Sequence, residues 1–210
     1  MKALNFSYRV LLHVIGYLII ALGVVLIYRA EQGAYPIDAV SYYLNELIPG
    51  IDLGIASIII NGAWVILNFI LIRKWQTLGS FIIVFTFGYL INLWDWIIPA
   101  NLTQYGLLLQ IPLALSGLVL LGAGIALIMF NARFPLTPSE VCFLFVNEKV
   151  NSTVKTKLII EVTMITIAIT LAAIAGQFSQ IGWLTIASVL TIGFIISFFQ
   201  KIFKKFITVY

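Results

Sequence analysis

Long apolar runs dominate the chain and fall near residues 10–28, 53–72, 78–98, 107–130, 157–175 and 181–200. Each approaches the roughly 20 residues that a helix needs to cross a hydrocarbon core. The pattern predicts an all-α polytopic membrane protein with six transmembrane helices. Short polar breaks separate the runs. The second ends at Arg73-Lys74, the third at Ile97-Ile98-Pro99, and Gly176-Gln177-Phe178-Ser179-Gln180 joins the fifth to the sixth. None of these breaks has room for a soluble domain, so residues 1–210 read as a single membrane domain.

Two connections are longer. Residues 29–52 carry Pro36-Ile37-Asp38 followed by an amphipathic stretch, and residues 131–156 carry Pro138-Ser139-Glu140 followed by another. Proline at the first helical position with an acid in the first turn favours helix initiation. Each connection is therefore expected to hold a short helix of two to three turns. An interfacial placement and a re-entrant one both satisfy the pattern.

Composition removes other classes. With 62% hydrophobic and only 10% charged residues, and a mean hydropathy of +1.10, the chain cannot hide its apolar surface as a soluble domain of this size. Neither a globular cytoplasmic enzyme nor a disordered chain fits. One cysteine, Cys142, and one histidine, His13, leave no internal disulfide and no usual zinc constellation. Nucleotide-loop, nucleophile-elbow and zinc-protease motifs are absent. No enzyme activity, metal or cofactor is expected. The net charge of +4 is spread over helix ends, which is the distribution of a topology signal and not of a nucleic-acid surface.

With the N-terminus inside, six spans leave Lys2, Arg9, Arg73, Lys74, Arg133, Lys149, Lys155, Lys157, Lys201, Lys204 and Lys205 on the inner side and only Arg29 outside. That bias predicts both termini in the cytoplasm, at a plasma membrane. Lys2 and Arg9 precede an apolar run too long for a signal peptide, which reads as the first span. Trp75, Trp94 and Trp96 sit near predicted boundaries, as interfacial anchors do.

The halves resemble one another. Leu22-Gly23-Val24-Val25-Leu26-Ile27 matches Ala123-Gly124-Ile125-Ala126-Leu127-Ile128 at a separation of 101. The Pro-x-acid signatures recur at 102, and Gly88 to Asp95 matches Gly193 to Gln200 at 105. Residues 10–98 and 107–200 are thus read as two three-span repeats. An odd number of spans inverts the second copy, the arrangement of many secondary transporters. The bland alternative is that duplication merely builds a stable bundle.

Ala30, Gly33, Pro36 and Asp38 together resemble the opening motif of the YczE/YyaS/YitT family of bacterial integral membrane proteins, in which a first span ends in Ala-x-x-Gly-x-x-Pro-x-Asp. The likeness continues through the Leu78-Gly79 start of span three and the stretch from Gly88 to Asp95. The second half departs from the motif at Phe134-Pro135. The resemblance implies a small bacterial membrane protein and carries over no catalytic or substrate assignment.

Candidate ion- or substrate-site residues follow from the rarity of polar groups in such a chain. Asp38 leads, as a carboxylate in the first turn of a short helix beside Gly33, and Glu140 is its repeat partner. Each can equally be a helix-capping acid. Arg29 breaks the charge rule and needs Glu31, Asp38 or Asp95 as partner, unless it simply snorkels. Asn61, Asn92 and the threonines Thr163, Thr166 and Thr170 can line a polar path or act as interhelical glue. Glu161 either pairs with Lys157 one turn earlier or faces inward and carries protons. Gly16, Gly23, Gly117, Gly122 and Gly124 suit close helix packing between spans one and four. The expected partners are the lipid bilayer, an unknown small solute or ion, and a second copy in a homodimer, with no nucleic acid. The function expected is a small secondary transporter or channel, proton- or cation-coupled. A non-transporting accessory or scaffold protein is the alternative.

Overall fold

Helix boundaries follow local chemistry closely. Pro36 and Pro138 open short helices. Asp52 caps the next span by accepting from the Ile55 amide at 2.7 Å, and Ser152 caps another. Arg73, Asn151 and Gly176 end helices in the left-handed conformation. The computed structural model describes residues 6–130 and 136–206. Arg133, Phe134, Pro135 and the side chain of Lys157 lie outside the described residues.

The described residues form α1 (Phe6–Ala30), α2 (Pro36–Leu47), α3 (Leu53–Ile72), α4 (Ser80–Ile97), α5 (Leu107–Phe130), α6 (Pro138–Val150), α7 (Thr153–Ala175) and α8 (Trp183–Phe206). Short 3-10 turns precede α4 and α5. The six long helices are long and apolar enough to cross a membrane. They match the six apolar runs to within a few residues.

The centre is α1 against α5. The helices run antiparallel, with Gly23 facing Gly117 and Gly16 facing Gly124. A methyl group on Gly23 would lie 2.7 Å from both the Gly117 carbonyl oxygen and the Leu121 amide nitrogen. Only bare backbone permits this approach, which is how membrane helices gain dispersion contact without a hydrophobic drive. Gly122 instead faces Ile195 of α8. Val24, Val25, Ile27, Leu121 and Ile128 fill the seam and are buried.

Around this pair the two halves differ. α4 packs on α3 through Gly54 and Gly88, and the Asn92 Oδ1 accepts from the Gly54 amide at 2.7 Å. α8 packs on α5, but α7 and α8 share no packing of this kind among the described residues. Gly193 of α8, the match of Gly88, has open space where its side chain would be.

Each short helix packs against long ones. α2 is about 17 Å long and lies alongside α7. Its C-terminal end meets the end of α7, where Gln177 donates to Glu46 at 2.7 Å. Its N-terminal end reaches Glu161 through Tyr35, about 21 Å along α7 from Ala175. The chain therefore leaves α1, dips among the long helices and returns. On the opposite side α6 packs on α3. The Asn68 side chain donates to the carbonyl of Pro138 at 2.7 Å and fixes the α6 start at the depth of α3's last turns.

Candidate functional site

The dip of α2 is pinned by a hydrogen-bonded knot. Gly33 adopts φ +107°, and a Cβ there would collide with Thr185 and Gly182, so only glycine passes this point. The Ala34 amide donates to the Gln180 carbonyl at 2.9 Å. The Gln180 side chain donates to the Tyr28 carbonyl at 3.1 Å, and its amide donates to the Tyr43 hydroxyl at 2.9 Å. The Tyr28 hydroxyl in turn donates to the Asp38 carbonyl at 2.8 Å. Sequence reading took 176–180 for a simple polar turn. Here its Gln180 is fully buried and locks the segment that leads into α2.

The N-terminal ends of α2 and α6 converge on a cavity of about 310 Å³. It lies where α7 and α8 stand apart. Trp64, Phe143, Ile160, Met164, Met129 and Ile196 form apolar walls. Tyr35, Ser139, Glu140, Glu161, Ser197 and Gln200 supply the polar groups, and Gly193 contributes bare backbone. Two acidic side chains and no basic one line it among the described residues.

Glu161 is 4% exposed. Tyr35 donates its hydroxyl to Glu161 Oε1 at 2.5 Å, and a charge-assisted bond of this kind offsets part of the desolvation of a buried carboxylate. Burial, and then the Glu161 charge, hold the Tyr35 phenol well above its ordinary pKa, so it stays a donor. Asp38 is also buried. Burial first, then the Glu161 charge, push its carboxyl up to about 7. It is therefore not a surface capping acid.

Other candidates take structural places. Arg29 meets Asp95 at 2.7 Å and also donates to its carbonyl at 3.0 Å, in a shallow depression with Asp52 and Asn92 that is separate from the cavity. The predicted polar path is not assembled. Asn61 donates to the carbonyl of Ser57 in its own helix, and Asn92 holds α3 through Gly54. Thr163, Thr166 and Thr170 are exposed on α7, each hydroxyl bonded back to the carbonyl four residues earlier. An isolated helix can satisfy a threonine in this way, so threonine spacing alone does not identify an inward face. Ala30 is fully buried beside the knot. Cys142 is buried and free on α6, and burial raises its thiol pKa.

Sequence reasoning missed Tyr35, Trp64, Met164 and Gln200. Tyr35 carried a signal, since it precedes Pro36 and so stands at the cap of α2. Trp64 and Met164 carried none, because apolar residues cover every face of these spans.

Six helices of membrane-crossing length, with two short helices between them, make this a multi-pass helical membrane protein in class. A family model described as a family of unknown function (DUF6198) matches residues 7–201, and the chain belongs to that family. It is 32% identical over 134 residues to the uncharacterized protein YyaS of Bacillus subtilis (strain 168). That alignment covers 64% of this chain and 66% of the relative. No solved structure matches the chain.

Proposed function

We propose that the protein is a small secondary transporter that works by alternating access, with the cavity as its substrate site and the Asp38–Glu161–Glu140 carboxylates as its coupling groups. The observation that carries this reading is the unequal treatment of equivalent helix pairs. α3 and α4 are closed at Gly54 and Gly88, while α7 and α8 are open at Gly193, and the cavity occupies that opening. If the halves are inverted repeats, exchanging their conformations closes the cavity between α7 and α8 and opens its counterpart between α3 and α4 on the other side.

The glycine seam supports the inverted relation. Gly16 and Gly23 correspond to Gly117 and Gly124 at a separation of 101. The contacts are crossed, Gly16 to Gly124 and Gly23 to Gly117, as an isologous two-fold contact requires. The packing of α2 on α7 and of α6 on α3 is crossed in the same sense. With the charge bias setting both termini in the cytoplasm, the cavity opens toward the inner side.

The test is flux in proteoliposomes with a panel of ions and small solutes under an imposed pH gradient. Wild-type protein should move at least one of them. Asp38→Asn and Glu161→Gln keep hydrogen bonding and remove the charge, so each should abolish coupled flux with little loss of thermal stability. A wild-type protein inert to the whole panel favours the accessory or scaffold reading. Flux that survives both substitutions removes these carboxylates from the mechanism.

A further inference from the structure

We propose that the cavity is a lipid site: the distal part of a bilayer lipid's acyl chain enters it sideways, at mid-membrane depth, through the gap between α7 and α8. The inference goes beyond the transporter reading and does not rest on it.

The depth of the gap comes first. Gly193 stands about 15 Å from the start of α8 and about 20 Å from its end, so it lies near the middle of a hydrocarbon core about 30 Å thick. Trp64, which α3 contributes to the cavity wall, stands about 17 Å from the start of its helix and about 12 Å from its end. Gap and wall therefore share one depth. α7 and α8 follow one another in the chain yet do not pack together, and a Cβ on Gly193 would meet nothing within 4 Å. Gly193 and Ser197 line the cavity and are exposed at the same time, as an opening at the edge of α8 requires. At this depth the medium outside the opening is acyl chain and not water.

The walls suit that medium. Met164, Met129, Ile160 and Ile196 line the cavity, and unbranched thioether side chains adapt to the changing shape of a mobile chain. The polar groups are set off to one end. Glu161 stands about one turn nearer the start of α7 than Met164, and Ser197 and Gln200 stand about one and two turns nearer the end of α8 than Gly193. Consecutive spans cross the membrane in opposite directions, so both displacements point to the same face. The mid-membrane part of the cavity is thus left to apolar groups. Empty space there would forfeit the dispersion contacts of its lining, and water there would meet hydrocarbon directly. The end of an acyl chain avoids both costs. A chain end makes no ion pair, so its fit is independent of the charge on Glu140 and Glu161.

The experiment places the full chain in nanodiscs of phosphatidylcholine that carries a photoreactive diazirine either at the end of its acyl chain or at the headgroup end of that chain. After irradiation, labelled residues are located by mass spectrometry. Trp64 is only 8% exposed, whereas Val162 and Phe194 are exposed on α7 and α8 and report ordinary lipid contact. The chain-end probe should label all three, and the headgroup-end probe should miss Trp64, a comparison that needs no variant. Gly193→Leu should fill the gap and remove labelling at Trp64 while Val162 stays labelled. Because Gly193 faces open space, that variant should keep the wild-type melting temperature. Wild-type protein labelled at Val162 but not at Trp64, or Trp64 labelled equally in Gly193→Leu, overturns the inference. So does protection of Val162, Phe194 and Trp64 together, which would mean that a second copy covers the gap. Labelling of Trp64 in a protein that moves no solute in proteoliposomes upholds the lipid site and contradicts transport, whereas flux without labelling of Trp64 upholds transport and overturns the lipid site.

Discussion

Asp38 joins sequence, burial and a measurable pH dependence. Its place after Pro36 fixes it in the first turn of α2, and the dip of that helix buries it near Glu161. Folding raises its pKa from 3.8 to about 7, so the folded state prefers the neutral acid. Its contribution to stability is full below the unfolded pKa and is lost as pH rises through the folded value. Wild-type protein should therefore lose melting temperature relative to Asp38→Asn as pH rises from about 4 to about 7, with the two curves meeting at the acid end and running parallel above that window. Thermal unfolding in detergent measures this, and curves parallel within the window would contradict the burial argument. The rarity of acids in the apolar chain made Asp38, Glu140 and Glu161 legible as candidates. What gathers them was not legible, because their convergence depends on how the two short helices pack among the long ones. A proline-acid signature reports only where a helix begins.

At the scale of elements, the glycines sort into two kinds that hydropathy does not separate. Gly23 meets backbone of α5 on all sides, so a methyl group there cannot be relieved by turning a side chain. Gly193 meets nothing. Gly23→Ala should cost about 1–3 kcal/mol through forced separation of α1 and α5. Gly193→Ala should be neutral or stabilising by up to about 1 kcal/mol, since alanine suits a helix interior better. Equal effects on thermal stability in the two variants would show that the central seam is not as close as described. The six long helices were readable from apolar length alone, and both short ones from their prolines. The placement of those short helices was not, because hydropathy is the same for an interfacial helix and one held among others by Gln180, Tyr28 and Tyr43. The threonines of α7 show the converse error, in which spacing suggested a face and back-bonding explained it.

For the whole molecule, orientation and motion are separate claims. The charge bias predicts that cysteines at Leu102 and Ser152, introduced in a Cys142→Ser background, lie on opposite sides. The first should react with an impermeant thiol reagent in intact cells and the second only after lysis; labelling of both from outside would contradict the six-span topology with cytoplasmic termini. The Gly23–Gly124 and Pro36–Pro138 matches in sequence are what suggest the proposed repeat. The difference between the closed α3–α4 pair and the open α7–α8 pair was not legible, because Gly88 and Gly193 are both glycine in sequence and differ only in what faces them.

The central claim is that the α7–α8 opening and the α3–α4 closure exchange. Pulsed electron–electron distance measurement in lipid tests it without knowledge of the substrate. One labelled pair is Val162 with Phe194, on exposed positions of α7 and α8, and the other is Ile59 with Tyr89, on exposed positions of α3 and α4. The account predicts two distance populations in each pair. A change of pH that shortens α7 to α8 should lengthen α3 to α4. A single unchanging distance in both pairs, under every condition, would contradict alternating access and leave the molecule a rigid scaffold.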